Sequence, residues 1–293
     1  MAVFSAGADW CTLTNVLQDN QEKQSLMGIF LEMSQQHTKW KAGGYKGKQD
    51  IGGMLKFGSR VRKDGQADEL LVSSAAQADK TIDTVHDLIA YHCTRLDLQV
   101  TMQLDNPSPK LSSDMYDELR LQKSLGGSPT GRRKFSHIRS DTGDTLYIGT
   151  RKTGRKFFRF YDKSNDLGVE KGLLWRVEVQ YGNDLADKAL QTYVGIRKDR
   201  QALIDLVSSE FYDASGFNVI EGVKVDAEII SESEQENVTA QRKLDWLATC
   251  VRPTIAFLFE QDLEGEVMDA LGIRRLREWK IDDTETIINQ TKH

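Results

Sequence analysis

The chain's pattern predicts an α+β protein: an antiparallel β-sheet with helices packed mainly on one face, followed by C-terminal helices. Two observations lead there. Alternating apolar and polar residues recur at 94–103 and 173–181, with further strand-like segments at 134–139, 145–150 and 156–162, and a period of two marks a strand. Helical spacing comes in separate blocks, an order that suits helices laid against an antiparallel sheet better than a strictly alternating parallel design.

In order, residues 9–15 have the aromatic and β-branched content of a first strand. Leu26, Ile29, Phe30 and Met33 suggest a helix over 20–40. Glycines punctuate residues 41–58, and strands at 54–61 and 69–74 are expected to form a hairpin through Asp64-Gly65. Ile82, Val85, Ile89 and Cys93 mark a second helix over 79–93. In the strand 94–103, Leu96, Leu98, Val100 and Met102 face one way, and Arg95, Asp97, Gln99 and Thr101 the other. A short helix is expected at 113–123, then three strands, the last two joined by a basic hairpin at 151–155. Trp175, Val177 and Val179 oppose Arg176, Glu178 and Gln180, and helices follow at 184–193 and 200–210. Residues 1–223 are expected to form one domain, 224–237 an acidic linker, and 238–293 a helical segment with helices at 239–259 and 263–279.

Scattered Cys11, Cys93 and Cys250 offer neither a disulfide framework nor a cysteine zinc site. No run approaches the roughly 18–20 apolar residues of a membrane span, and the first residues lack a basic-then-apolar leader, so a cytoplasmic protein without a membrane partner is expected. No phosphate loop, HExxH pair or Gly-x-Ser-x-Gly elbow is present. The net charge of −5 conceals segregation: residues 131–163 hold ten bases and three acids, whereas 226–236 hold five acids and no base. The basic stretch, with Arg132, Arg133, Lys134, Arg151, Lys152, Arg155 and Lys156, could contact phosphates or simply be a solvated hairpin.

Two features carry possible chemistry. If the polar faces of their strands converge, Asp97 and Glu178 make a hard-oxygen site suited to Mg²⁺ or Mn²⁺; otherwise each pairs with a neighbouring arginine on a solvated face. In Phe157-Phe158-Arg159-Phe160-Tyr161-Asp162-Lys163, alternation puts Arg159, Tyr161 and Lys163 on one face. Flanking cations favour a phenolate able to attack phosphorus and could hold the phosphate under attack. The plainer reading is a sheet tyrosine packed between basic stems.

Thr94-Arg95-Leu96-Asp97-Leu98, the run Thr145–Lys152, Phe158-Arg159-Phe160-Tyr161-Asp162-Lys163 and Trp175-Arg176-Val177-Glu178-Val179 stand in an order and spacing that resembles the replication initiation factor family (Rep_trans type). That family serves rolling-circle replication of plasmids and filamentous phages and includes relaxases of integrative elements. The likeness spans roughly residues 9–215. It implies an origin-nicking enzyme in which Tyr161 forms a 5′-phosphotyrosine link to single-stranded or extruded-hairpin DNA. It further implies that Asp97 and Glu178 hold Mg²⁺ or Mn²⁺, that Arg159 and Lys163 steady the phosphate, and that Asp9 or Gln99 is a candidate third ligand. A relaxase starting conjugative transfer and a catalytically inactive DNA-binding regulator are the alternatives. The resemblance carries nothing over to the C-terminal helices, for which DNA, a host helicase and a second subunit of a homodimer are all open as partners.

Overall fold

The computed structural model describes residues 2–17, 26–85, 91–131, 133–140, 143–151 and 155–220, together with 223, 225, 230, 261 and 263. The strands are β1 (Ala2–Leu17), β2 (His37–Ala42), β3 (Tyr45–Asp50), β4 (Leu55–Val61), β5 (Ala67–Ser74), β6 (His92–Gln103), β7 (Phe135–Ser140), β8 (Gly143–Ile148), β9 (Lys156–Asp162) and β10 (Leu174–Gly182). The helices are α1 (Leu26–Met33), α2 (Ala76–Val85), α3 (Leu111–Ser124), α4 (Asp184–Ile196) and α5 (Arg200–Ser215). Every strand pairing is antiparallel, in one sheet of order β2-β3-β4-β5-β1-β6-β10-β9-β8-β7. The α+β class expected from the sequence is the one observed.

Alternation divides the sheet into two faces. On one, Cys11, Leu13, Leu96, Leu98, Val100, Phe158, Phe160, Val177 and Val179 are buried. The helices lie against this face: Phe211 of α5 packs on Phe158 and Phe160, Tyr116 of α3 on Phe135, and Phe30 of α1 on Phe57. Burial of such aromatic and aliphatic side chains is the main force holding the sheet to its helices. The other face of β6 and β10 is also buried although it is polar, with Asp97, Gln99, Thr101, Arg176, Glu178 and Gln180 all largely withdrawn from water. Buried polar groups need partners; Gln180 Oε1 has none among the described residues, and the partners of the others make the site described below.

Three expectations change. Of the helix expected over 20–40, residues 20–25 lie outside the described residues, α1 accounts for Leu26–Met33, and Trp40 belongs to β2. Gly43 (φ +57°) and Gly44 (φ +85°) form a two-residue turn pairing Ala42 with Tyr45, so a hairpin replaces the end of the helix. The helix expected over 79–93 is α2, with Cys93 already in β6. The first strand is longer than 9–15, and its register slips between Ala8 and Trp10, leaving Asp9 as the extra residue of a bulge. By contrast, the Asp64-Gly65 hairpin and β9 lie where expected.

The chain divides into two units, Met1–Ile230 and Ser231–His293. The helices expected at 239–259 and 263–279 and most of the acidic stretch lie outside the described residues. Among the described residues, no helix is long and apolar enough to cross a membrane.

Candidate active site

Three adjacent strands bring the site together. In register, Glu178 of β10 stands between Gln99 of β6 and Arg159 of β9, and Arg159 is followed by Tyr147 of β8. The next row runs Thr101, Arg176, Tyr161, Thr145. Asp97 sits one residue pair away on β6, opposite Trp10 of β1. Side chains on one face in neighbouring rows are within reach of each other, so the convergence of Asp97, Glu178, Arg159 and Tyr161 follows from alternation plus this strand order.

Asp97 is 0% and Glu178 1% exposed. The Nη2 of Arg159 bridges them, donating to Asp97 Oδ2 at 3.0 Å and to Glu178 Oε1. Arg95, two residues before Asp97 on the same strand, closes on that carboxylate from the other side through Nε (2.8 Å) and Nη2. The Arg95 guanidinium also lies 4.5 Å from the centre of the Trp10 ring. Tyr161 donates its hydroxyl hydrogen to Glu178 Oε2 at 3.2 Å. Both expectations for the two acids are therefore met in part: they do converge, and they do pair with arginines, but the pairing is buried rather than solvated.

Burial dominates the electrostatics. It pushes the Asp97 carboxyl upward, against the pull of Arg95 and Arg159, and pushes Arg159 downward, against the attraction of Asp97. Removing Arg159 would leave Asp97 to Arg95 and Glu178 without a cation.

Around this centre, Arg176 donates to Thr101 Oγ1 (2.8 Å) and to Asp9 Oδ1 (2.9 Å), and Thr101 donates to Gln99 Oε1 (2.9 Å). The β1 bulge turns Asp9 toward Arg176. Asp9 and Gln99 thus answer to Arg176 and Thr101, and neither joins the carboxylates bridged by Arg159. Lys163 bonds Asp166 Oδ2 at 2.5 Å, with its ammonium 5.8 Å from the Tyr161 ring centre.

The donor chemistry of Asp97 and Glu178 fits a hard divalent cation: two buried carboxylates each place an oxygen on the Arg159 guanidinium. Arg159 now supplies that charge, so an incoming cation and the guanidinium would compete for the same oxygens. Among the described residues no cluster of three or more Asp, Glu, His or Cys side chains is grouped for metal binding. The two acids would hold the ion with backbone, substrate or water oxygens completing its shell.

The seven bases expected to contact DNA do not share one face. The Arg151 guanidinium lies over Phe157 (5.5 Å), which points the same way as Arg159 and Tyr161 and stacks on Tyr147. Arg133 turns to the helix-bearing side, reaching Asp213 of α5 at 3.4 Å. Lys156 departs furthest from expectation. Its position on β9 aims it at the helices, where Nζ meets Glu210 Oε2 at 2.7 Å and the side chain is 3% exposed, so it cannot reach a phosphate. Lys134 is exposed and Arg155 half-buried, while Arg132 and Lys152 lie outside the described residues.

Sequence reasoning placed Arg95 and Arg176 on the faces of Asp97 and Glu178 but did not count them among the site residues. The signal for both was available: each is spaced by two from the acid on its own strand, on the same face.

No curated protein matches the chain. The structure is similar to that of a rolling circle replication initiator protein from Geobacillus stearothermophilus, with a TM-score of 0.50 and 18% identity over 72% of this chain and 84% of that one. At that identity the likeness establishes a common fold. A family model described as replication initiation factor matches residues 94–271, more than half of the sequence, including β9, β10 and all but the first two residues of β6, and the chain belongs to the replication initiation factor family.

Proposed function

We propose that the protein initiates rolling-circle replication by nicking and rejoining one DNA strand at an origin, with Tyr161 as nucleophile. The observation that carries this reading is the hydrogen bond from Tyr161 to Glu178, an acid that Arg159 ties to Asp97. A phenol needs a base within hydrogen-bond reach to become a nucleophile, and Glu178 Oε2 is that base.

In the forward step the Tyr161 oxygen bonds to phosphorus, its proton passes to Glu178, and the bond from phosphorus to the 3′-oxygen breaks. The 3′-oxygen leaves as a hydroxyl after taking a proton, and the 5′ end stays on Tyr161 as a phosphotyrosine. The reverse step rejoins the strand. Arg159, and Lys163 once released from Asp166, stabilise charge on the non-bridging oxygens. A divalent cation held by Asp97 and Glu178 would polarise the same phosphate.

The test is incubation with Mn²⁺ and a single-stranded oligonucleotide or supercoiled plasmid carrying the protein's own origin. A covalent protein–DNA adduct is expected with the wild type and none with Tyr161→Phe. Undiminished adduct in Tyr161→Phe would overturn the assignment and turn attention to Tyr147, one strand away.

A further inference from the structure

The hairpin of β2 and β3 stands at the opposite end of the sheet from β7. Its register sets Lys39 opposite Lys48 and Lys41 opposite Lys46. Alternation puts all four on one face as a two-by-two block, with Lys39, Lys41 and Lys46 exposed and Lys48 half-buried. Like charges directly opposed across a ladder are destabilising, yet no carboxylate pairs with any of the four among the described residues. The surrounding stretch 37–63 contains eight bases against the single acid Asp50, an excess as large as that of residues 131–163.

The other face of the hairpin explains how the block is held in place. Trp40, Gly47 and Gly58 form one cross-strand row. A Cβ on Gly58 would come within 2.5 Å of the Trp40 ring and 2.8 Å of Tyr45 Cβ, and one on Gly47 within 2.1 Å of the Phe57 carbonyl oxygen. Only glycine allows this approach, so the indole seats flat on β4. Tyr45 adds a hydrogen bond to Asp68 (2.8 Å) and carries the Arg60 guanidinium over its ring (4.4 Å). The lysines therefore project from a braced platform, and little ordering remains to oppose binding of a polyanion.

We propose that this lysine face is a second DNA-binding surface, which grips the phosphate backbone of duplex flanking the nick without reading its sequence. The inference rests on the reading that the protein acts on DNA. On the same face the block is flanked by Phe57, buried against α1, and by Asp50, whose Oδ1 accepts the Leu55 backbone N–H; the four lysine charges stay unbalanced, which suits a uniform line of phosphates better than a protein surface of mixed charge sign. Six strand spacings separate β3 from β9, roughly 30 Å along the sheet, or close to one turn of duplex. In register the block also lies on the face opposite Tyr161, so the DNA it holds is not the strand being cut.

The test compares the full chain with its Lys39→Gln/Lys41→Gln/Lys46→Gln/Lys48→Gln variant on a random-sequence duplex of about 40 base pairs, a length well beyond one helical turn, across a salt series. The variant should lower the slope of log affinity against log salt by about 3–4, since each lost phosphate contact removes about 0.9. Affinity near 0.1 M salt should fall about tenfold or more, while the fourfold Lys→Arg variant keeps the wild-type slope. Circular dichroism of both variants confirms folding. An unchanged slope and affinity in the folded Gln variant would overturn the proposal, and so would a loss confined to self-association or to binding of an acidic peptide. Adduct formation on a short single-stranded origin oligonucleotide, measured in parallel, reports on the nicking reading alone and is expected to persist in the Gln variant.

Discussion

Arg159 bridges two buried acids and so stands where the proposed divalent cation would bind. Replacing it with alanine leaves Glu178 without its cation and Asp97 with Arg95 alone, a change expected to destabilise the fold by about 3–5 kcal/mol in chelator. Because a cation can then fill the gap, Mn²⁺ should raise the melting temperature of Arg159→Ala by several degrees more than that of the wild type. Equal shifts in the two proteins would show that the guanidinium and the ion do not compete. The pH dependence has a definite sign. Burial holds the Asp97 carboxyl above its usual 3.8, so its ionised form is penalised in the fold and stability is recovered as pH falls through the raised value. Without Arg159 that recovery should be larger, narrowing the gap between variant and wild type at acidic pH. At this scale the sequence was informative: period-two spacing put Asp97, Glu178, Arg159 and Tyr161 on strand faces. Pairing of the acids with arginines was foreseen as one of two readings, but not that one arginine would bridge both acids out of water, because that depends on a strand order that no local pattern contains.

Strand β9 works with both faces. Arg159 and Tyr161 serve the site, while Phe158 and Phe160 enter the core and Lys156 meets Glu210 of α5. Glu210 also accepts the Ile230 backbone N–H at 2.8 Å, tying the strand, the helix and the end of the first unit to one carboxylate. Burial raises the Glu210 pKa, with Lys156 pulling it back down. Lys156→Met should therefore cost about 3–5 kcal/mol of stability in urea denaturation at pH 8. The deficit should shrink toward pH 5, because the stranded carboxyl regains stability on protonation. Adding Glu210→Gln, which keeps an acceptor for Ile230, should restore most of the loss; a double variant no better than the single would refute a pairing role. Elements were legible where alternation was strong, as in β6, β9 and β10. The β2–β3 hairpin was not, because the apolar spacing of Leu26, Ile29, Phe30 and Met33 invites the helix to run on past the point where Gly43-Gly44 turns the chain.

Across the whole molecule, the sheet closes its core within Met1–Ile230. A fragment ending at Ile230 is expected to unfold in one cooperative transition and to retain Tyr161-dependent adduct formation on single-stranded origin DNA. A fragment lacking a cooperative transition would mean that the second unit is needed for the fold. The sheet's order also explains the limit of sequence reading at this scale. Placing β1 between β5 and β6, and β10 between β6 and β9, joins segments far apart in the chain, and such pairings leave no periodic trace.

The stacking of Arg95 on Trp10 has an optical consequence. The same guanidinium that covers the indole grips Asp97, so any event that draws Asp97 away loosens the cation over the ring and alters its emission. The site thus contains its own fluorophore, one strand removed from the chemistry, and a difference spectrum against Trp10→Phe would follow occupancy of the carboxylate pair in real time without a label.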